Sequence, residues 1–120
     1  MEVEETVWQQ YIMYLLIMVF VFFASTAFGQ IQVTHFNAGW NSANDVPWFM
    51  DLEDCKTKGY ADIAKDAEAQ TKYKIAVVPT IIIFKDGEEV ARFQADLSFK
   101  MVATREEVQE EIGNQLMSDF

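Results

Sequence analysis

The chain has 120 residues, room for one small domain and too few for two cores of ordinary size. Its 19 Asp and Glu against 9 Lys and Arg give a formal net charge of -10, which argues against a nucleic-acid partner, because neutralising phosphates needs a surplus of cations. A single cysteine, Cys55, excludes an intramolecular disulfide and a multi-thiolate zinc site.

The first feature in chain order is residues 11–28, YIMYLLIMVFVFFASTAF, an uncharged apolar run of about the length that crosses a bilayer as a helix. It divides the chain into an N-terminal hydrophobic segment, 1–29, and a folded domain, 30–120. The same run suits a signal peptide, since Ala27 and Gly29 place small residues at a cleavage position before Gln30. Against a standard signal stands the leader MEVEETVWQQ, with Glu2, Glu4 and Glu5 and no Lys or Arg. On either reading the domain is expected to be exported, to the cell envelope or periplasmic side. It is then anchored in the membrane through 11–28 if the leader is retained, or secreted after cleavage near Gly29.

Beyond Gln30 strands and helices alternate, the pattern of an α/β sandwich. Residues 31–36 read as a strand and 37–44 as a turn-forming stretch. Asn44 or Asp45 is expected to cap a helix with Pro47 in its first turn, running through Trp48, Phe49 and Leu52 to about Asp54. A polar link over 56–59, a second strand over 60–64 and a short helix over 66–73 follow. Residues 76–79 lead into the most apolar strand, 80–84, whose three isoleucines predict burial on both faces. Asp86-Gly87 signals a hairpin that returns 88–94 as an antiparallel edge. Finally Thr104 to Glu107 reads as a capping box, opening a helix with Val108 and Ile112 four residues apart and ending near Leu116.

Two stretches carry more than secondary structure: THFNAGWNSAN at 34–44 and KYKIAVVPTIIIFKDG at 72–87. With Phe36, Ala38 and Trp40 before a loop, Pro79-Thr80 before a strand, and Phe84-Lys85-Asp86-Gly87-Glu88 at its end, the chain resembles the thioredoxin family. The resemblance covers about 31–116. It implies a minimal thioredoxin-like α/β fold: a four-stranded mixed sheet, order 2-1-3-4, flanked by helices, with Pro79 as the family's cis-proline. The apolar helix at the N-terminus would precede it.

The resemblance also implies a loss. Asn41, Ser42, Ala43 and Asn44 stand where the family has Cys-x-x-Cys, and an amide has no thiolate with which to exchange disulfides. The family's buried acid falls on His35 and its neighbouring lysine on Tyr60. No catalytic residue, cofactor or metal is therefore expected. His35 reads as a buried neutral imidazole hydrogen-bonded to backbone or to an Asn side chain, with a pH-sensitive switch as the alternative. Cys55, placed near the C-terminal end of the first helix of the domain, reads as an inert or partly exposed thiol, with an intermolecular disulfide as the alternative. What the resemblance leaves is the peptide-binding surface of the family, which falls on Trp40, Val78 and Pro79 and works by β-strand addition. The expected function is a redox-inactive, exported or membrane-anchored module that binds a protein or peptide partner. The alternatives are a single-cysteine thiol oxidoreductase using Cys55, and a purely structural subunit of a membrane complex.

Overall fold

The computed structural model describes residues 29–118. The expected leader helix, signal or anchor over 11–28 lies outside the described residues. Among those described, no helix is long and apolar enough to cross a membrane.

Four strands form one mixed sheet: β1 (Ile31–Asn37), β2 (Thr57–Asp62), β3 (Thr80–Lys85) and β4 (Glu88–Gln94), in the order β2-β1-β3-β4. β1 runs parallel to β2 and antiparallel to β3, and β3 runs antiparallel to β4. The order 2-1-3-4 is thus the expected one. β3 lies inside the sheet, and Thr80, Ile81, Ile82 and Ile83 are all buried, which explains why its sequence is apolar without alternation. Asp86 (φ 53°) and Gly87 (φ 85°) both take the left-handed conformation that a two-residue hairpin between β3 and β4 demands.

β2 starts at Thr57 and not at Tyr60. Backbone pairing decides this: the Lys56 N–H donates to the Ile31 carbonyl at 2.7 Å and Gln32 then pairs with Thr57. An edge strand leaves polar Thr57 and Lys58 in contact with solvent, so their polarity does not mark a loop.

The sheet is covered on both faces. On one, Ile31, Val33, Ile81 and Ile83 pack with Val46, Phe49 and Leu52 and with Val108 and Ile112 of the C-terminal helix. On the other, Phe36 and Ile82 pack with Ala38, Ile75 and Val78, and Tyr73 and Ala69 lie against them. Each fully buried aliphatic or aromatic side chain contributes about 1.5–3 kcal/mol, so these two clusters are the main source of stability. The short helix α1 (Ala67–Lys72) is capped by Asp66, which accepts from the Ala69 N–H at 3.1 Å. Arg92 of β4 donates to the Tyr73 and Lys74 carbonyls just past its end. The long helix α2 (Arg105–Met117) is capped by the Thr104 hydroxyl, which accepts from the Glu107 N–H at 3.2 Å. At its other end the Lys85 ammonium donates to the Gln115 carbonyl, a favourable charge at a helix C-terminus.

The expected helix from Asp45 to Asp54 does not form. Two 3₁₀ segments, Gly39–Asn44 and Phe49–Asp51, replace it. Val46 precedes Pro47, which disfavours helical backbone there. The Val46 N–H is donated to the His35 ring and is lost to a helical ladder. Asp45 is extended (φ -53°, ψ 141°), and Leu52 leaves the second segment extended again (φ -63°, ψ 136°). The Lys58 ammonium takes the Met50 and Leu52 carbonyls, satisfying groups that a longer helix would have used.

Candidate functional site

The Gly39–Asn44 segment leaves the C-terminal end of β1 and carries the positions where thiols were expected. Its chemistry is amide chemistry. Asn41 is 5 % exposed, and its Nδ2 donates to Asn37 Oδ1 at 3.0 Å and to the Phe99 carbonyl at 3.2 Å, with the Val78 carbonyl at 3.5 Å. Its Oδ1 accepts from Asn44 Nδ2 at 2.7 Å. Asn37 Nδ2 in turn donates to the Asn41 carbonyl at 3.1 Å and to the Asp45 carboxylate. One buried amide therefore ties together the end of β1, the loop, the segment before Pro79 and the connection from β4 to α2. Both Asn41 donors are committed inside the fold.

The loop also lacks the setting that activates a thiol. A cysteine at the N-terminus of a helix is made acidic by the aligned backbone dipoles. Here the backbone breaks at Asn41 (φ -114°, ψ 18°) and no α-helix follows.

Of the residues assigned to peptide binding, the structure exposes one. Trp40 is 67 % exposed, whereas Val78 and Pro79 are buried, and the peptide between them is cis. Trp40 instead meets Phe99 edge-to-face, ring centroids 5.3 Å apart. Phe99 holds φ 64°, unusual for an aromatic residue, in a turn organised by Asp96, whose carboxylate accepts from the Ser98 N–H, the Ser98 hydroxyl and the Lys100 N–H. Those three bonds hold the Asp96 carboxyl below its ordinary pKa. Nothing in the sequence of 95–101 marked it as part of this site; only the Asn41 to Phe99 contact, far apart in the chain, brings it there.

His35 sits in mid-β1, 1 % exposed, opposite Tyr60 and Ile81. Its Nε2 accepts from the Val46 N–H at 3.1 Å, and its ring lies against Phe49 (5.4 Å) and Tyr60 (5.0 Å). The partner is backbone, as expected, and an accepting Nε2 places the proton of the neutral ring on Nδ1. Burial pushes the His35 pKa down, against a smaller upward pull from Asp45 and its own backbone.

A lowered histidine pKa means that the unfolded chain binds the proton first. Stability is then complete above the unfolded value of about 6.5 and falls as the pH drops below it, by up to about 1.4 kcal/mol per pH unit until the folded pKa is reached. His35 is the only histidine, so its ring resonances can be followed alone. In the folded protein their titration midpoint should lie below the unfolded value of about 6.5; a midpoint at or above 6.5 would contradict the burial argument.

Beside His35, between the C-terminal ends of β1 and β2, lies a cavity of about 240 Å³ whose walls include Asn37, Ser42, Asp45, Tyr60 and Asp62. The carboxylates of this cavity went unremarked in the sequence, because Asp45 read as a helix cap and Asp62 as a strand residue. Among the described residues no group of His, Cys, Asp and Glu is arranged to hold a metal ion.

Cys55 lies on the link between the second 3₁₀ segment and β2, not on a helix, because the expected helix is absent. It is half-buried, its Sγ donates to the Glu53 carbonyl at 3.3 Å, and burial pushes its pKa up, with Lys58 lowering it and Asp54 raising it further. This is the opposite of the electropositive setting of a reactive thiolate.

The sheet order, the cis peptide before Pro79 and the loop at the end of β1 define a thioredoxin-like fold in which no cysteine pair remains. Solved structures agree. The thioredoxin pre-protein of Schistosoma mansoni is 25 % identical with a TM-score of 0.56, the match covering 75 % of this chain and 83 % of that one. Poplar thioredoxin h is 19 % identical with a TM-score of 0.54, over 72 % and 77 %. A mutant thioredoxin from Halobacterium salinarum is 18 % identical with a TM-score of 0.55, over 71 % and 74 %. No protein-family model and no curated protein matches the chain.

Proposed function

We propose that this chain is a redox-inactive thioredoxin-like module, exported or held at a membrane by residues 11–28, that acts by contacting a protein partner through its loop face. The observation that carries this reading is the pairing of Asn41 and Trp40. The residue where a nucleophile would stand is buried and spent on structure, while its neighbour leaves a large aromatic surface 67 % exposed. Exposed aromatics are the side chains that anchor protein contacts. Phe99, 41 % exposed at 5.3 Å from Trp40, enlarges the surface. Single-thiol chemistry at Cys55 is the weaker reading, since its raised pKa leaves little thiolate at neutral pH.

Two measurements on the full-length protein test this. Partner recovery from native membranes should fall when Trp40→Ala replaces the intact chain; equal recovery would remove the loop face from the contact. In a disulfide-reduction assay the intact protein and Cys55→Ser should both stay at background; turnover that depends on Cys55 would favour the oxidoreductase instead.

A further inference from the structure

The chain enters the domain at one pole, where Gln30 is fixed to its neighbours. Its N–H donates to Asp86 Oδ1 at 3.0 Å, its carbonyl accepts from the Asp86 N–H at 3.1 Å, and its Oε1 accepts from the Lys56 ammonium at 3.0 Å. The same pole holds the Asp86-Gly87 turn, the start of β2 and the end of α2, because Lys85, opposite Ile31 in the sheet, donates to the Gln115 carbonyl and to Ser118 Oγ. Met117, 70 % exposed, stands beside Ser118 at this end of α2. Trp40 and Phe99 belong to the opposite pole. β1 covers the seven residues Ile31–Asn37, about 23 Å at 3.3 Å per residue, and Trp40 follows its far end. Exposed aromatics suit a protein contact, and they equally suit a membrane interface. Their place in the fold separates the two.

One residue, Gly29, separates Gln30 from the end of the apolar run at position 28. As an α-helix that run would rise about 27 Å, close to the ~30 Å of hydrocarbon it has to cross, so none of it is left over as a tether. A single residue spans about 3.5 Å. β1 lies inside the sheet, and the sheet is covered on both faces. A domain lying on either face would hold Gln30 off the bilayer by the thickness of a packed layer, about 10 Å, and one lying on its β2 edge by at least a strand spacing, about 4.8 Å. Both distances exceed the reach of Gly29. Only the pole around Gln30 meets the surface within it.

Building on the proposal that residues 11–28 hold the chain at a membrane, we infer that the domain stands on the lipid headgroups by the pole formed by Gln30, Lys56, the Asp86-Gly87 turn and Met117, and carries Trp40 and Phe99 about 20 Å out from them. Lys56 is exposed, and its ammonium keeps donors for a headgroup phosphate beside the one given to Gln30. The headgroup layer is about 5–7 Å deep on each side of the hydrocarbon, so the aromatic pair clears it. The partner of the loop face is thereby a protein with a water-exposed domain at that height, and neither the anchoring lipid nor a membrane-embedded helix.

The test uses the full-length, nitrogen-15-labelled protein in phosphatidylcholine nanodiscs whose headgroups carry a nitroxide, with the chemically reduced nitroxide as reference. The backbone amides of Lys56, Gly87 and Met117 should lose most of their intensity to the nitroxide, and those of Gly39, Trp40 and Phe99 should keep theirs. Loss at Trp40 and Phe99 equal to that at Gly87 overturns the inference and assigns the aromatic pair to the lipid. Uniform loss along the whole of α2 or of β2 overturns it too, because the domain then lies on a side. Co-elution of the protein with the discs on gel filtration reports the anchor separately. Protein that elutes free of them removes the membrane from the proposed function and the inference with it, whereas loss at the wrong pole in co-eluting protein overturns the orientation and leaves the anchor standing. The Trp40→Ala recovery decides independently whether the loop face binds protein.

Discussion

Phe49→Ala should lower the unfolding free energy by about 4 kcal/mol, the usual loss for deleting a fully buried aromatic ring. Phe49 has no exposed surface and lies at the junction of the sheet and the 3₁₀ segment that stands in place of a helix. It packs in the main cluster with Val33, Leu52 and Ile112, and its ring meets His35 at 5.4 Å and Tyr60 at 5.1 Å. A three-residue segment has little helical hydrogen bonding with which to hold itself in place, so the side chain it buries is what fixes it. Domains of this size have about 5–15 kcal/mol in total, so the variant should unfold at a much lower urea concentration with an unchanged slope. Tyr60→Phe is the control, removing a hydroxyl that has no partner among the described residues, and it should change stability by less than about 0.5 kcal/mol. A loss under about 2 kcal/mol for Phe49→Ala would mean that the surrounding chain closes the space.

Asn41→Ala should cost about 3 kcal/mol, more than most polar substitutions, because it strands several groups at once. The Asn37 side-chain oxygen and the Phe99 and Val78 carbonyls lose a donor, and Asn44 loses its acceptor. Urea unfolding measures the loss, and the amides of 96–100 should broaden or shift in the same variant because Phe99 is released. Asn41→Cys should be destabilised comparably, since a thiol is a weak donor and cannot span the same partners. A change under about 0.5 kcal/mol would show that the amide network does not hold the loop. The consequence for function is direct. Returning to this chain the residue that dithiol chemistry needs would take away the contact that now orders the loop face.

Much of the architecture was legible in the residues. The three isoleucines of β3, the Asp86-Gly87 turn, the Thr104 cap and the apolar start of β1 each carry a local signal strong enough to survive folding. The stretch from 45 to 57 was not legible. Asp45 followed by Pro47 reads as a helix start, yet Asp45 is engaged by Asn37 and the Val46 N–H by His35, and both partners come from β1. The start of β2 was missed for a related reason, since strand pairing with β1 sets it and polar edge residues give no periodic signal. For the site, burial of His35 could be read in advance, with its partner left between backbone and an Asn side chain until the structure showed the Val46 N–H. The place of Phe99 against Trp40 could not, nor could the meeting of Asp45 and Asp62 on one cavity.

The residues by themselves indicated alternating strands and helices, through apolar runs and turn residues, and the absence of a cysteine pair; the thioredoxin-like fold, its strand order and the place of the missing thiols came from the family resemblance those residues carry. Only the tertiary structure decided what the loop became. Asn41 is a buried structural cross-link, and the exposed aromatic surface beside it belongs to Trp40 and Phe99. The physical reason is that an amide takes its role from the groups that reach it, and those around Asn41 come from residues as distant as Val78 and Phe99, which only the folded sheet brings together.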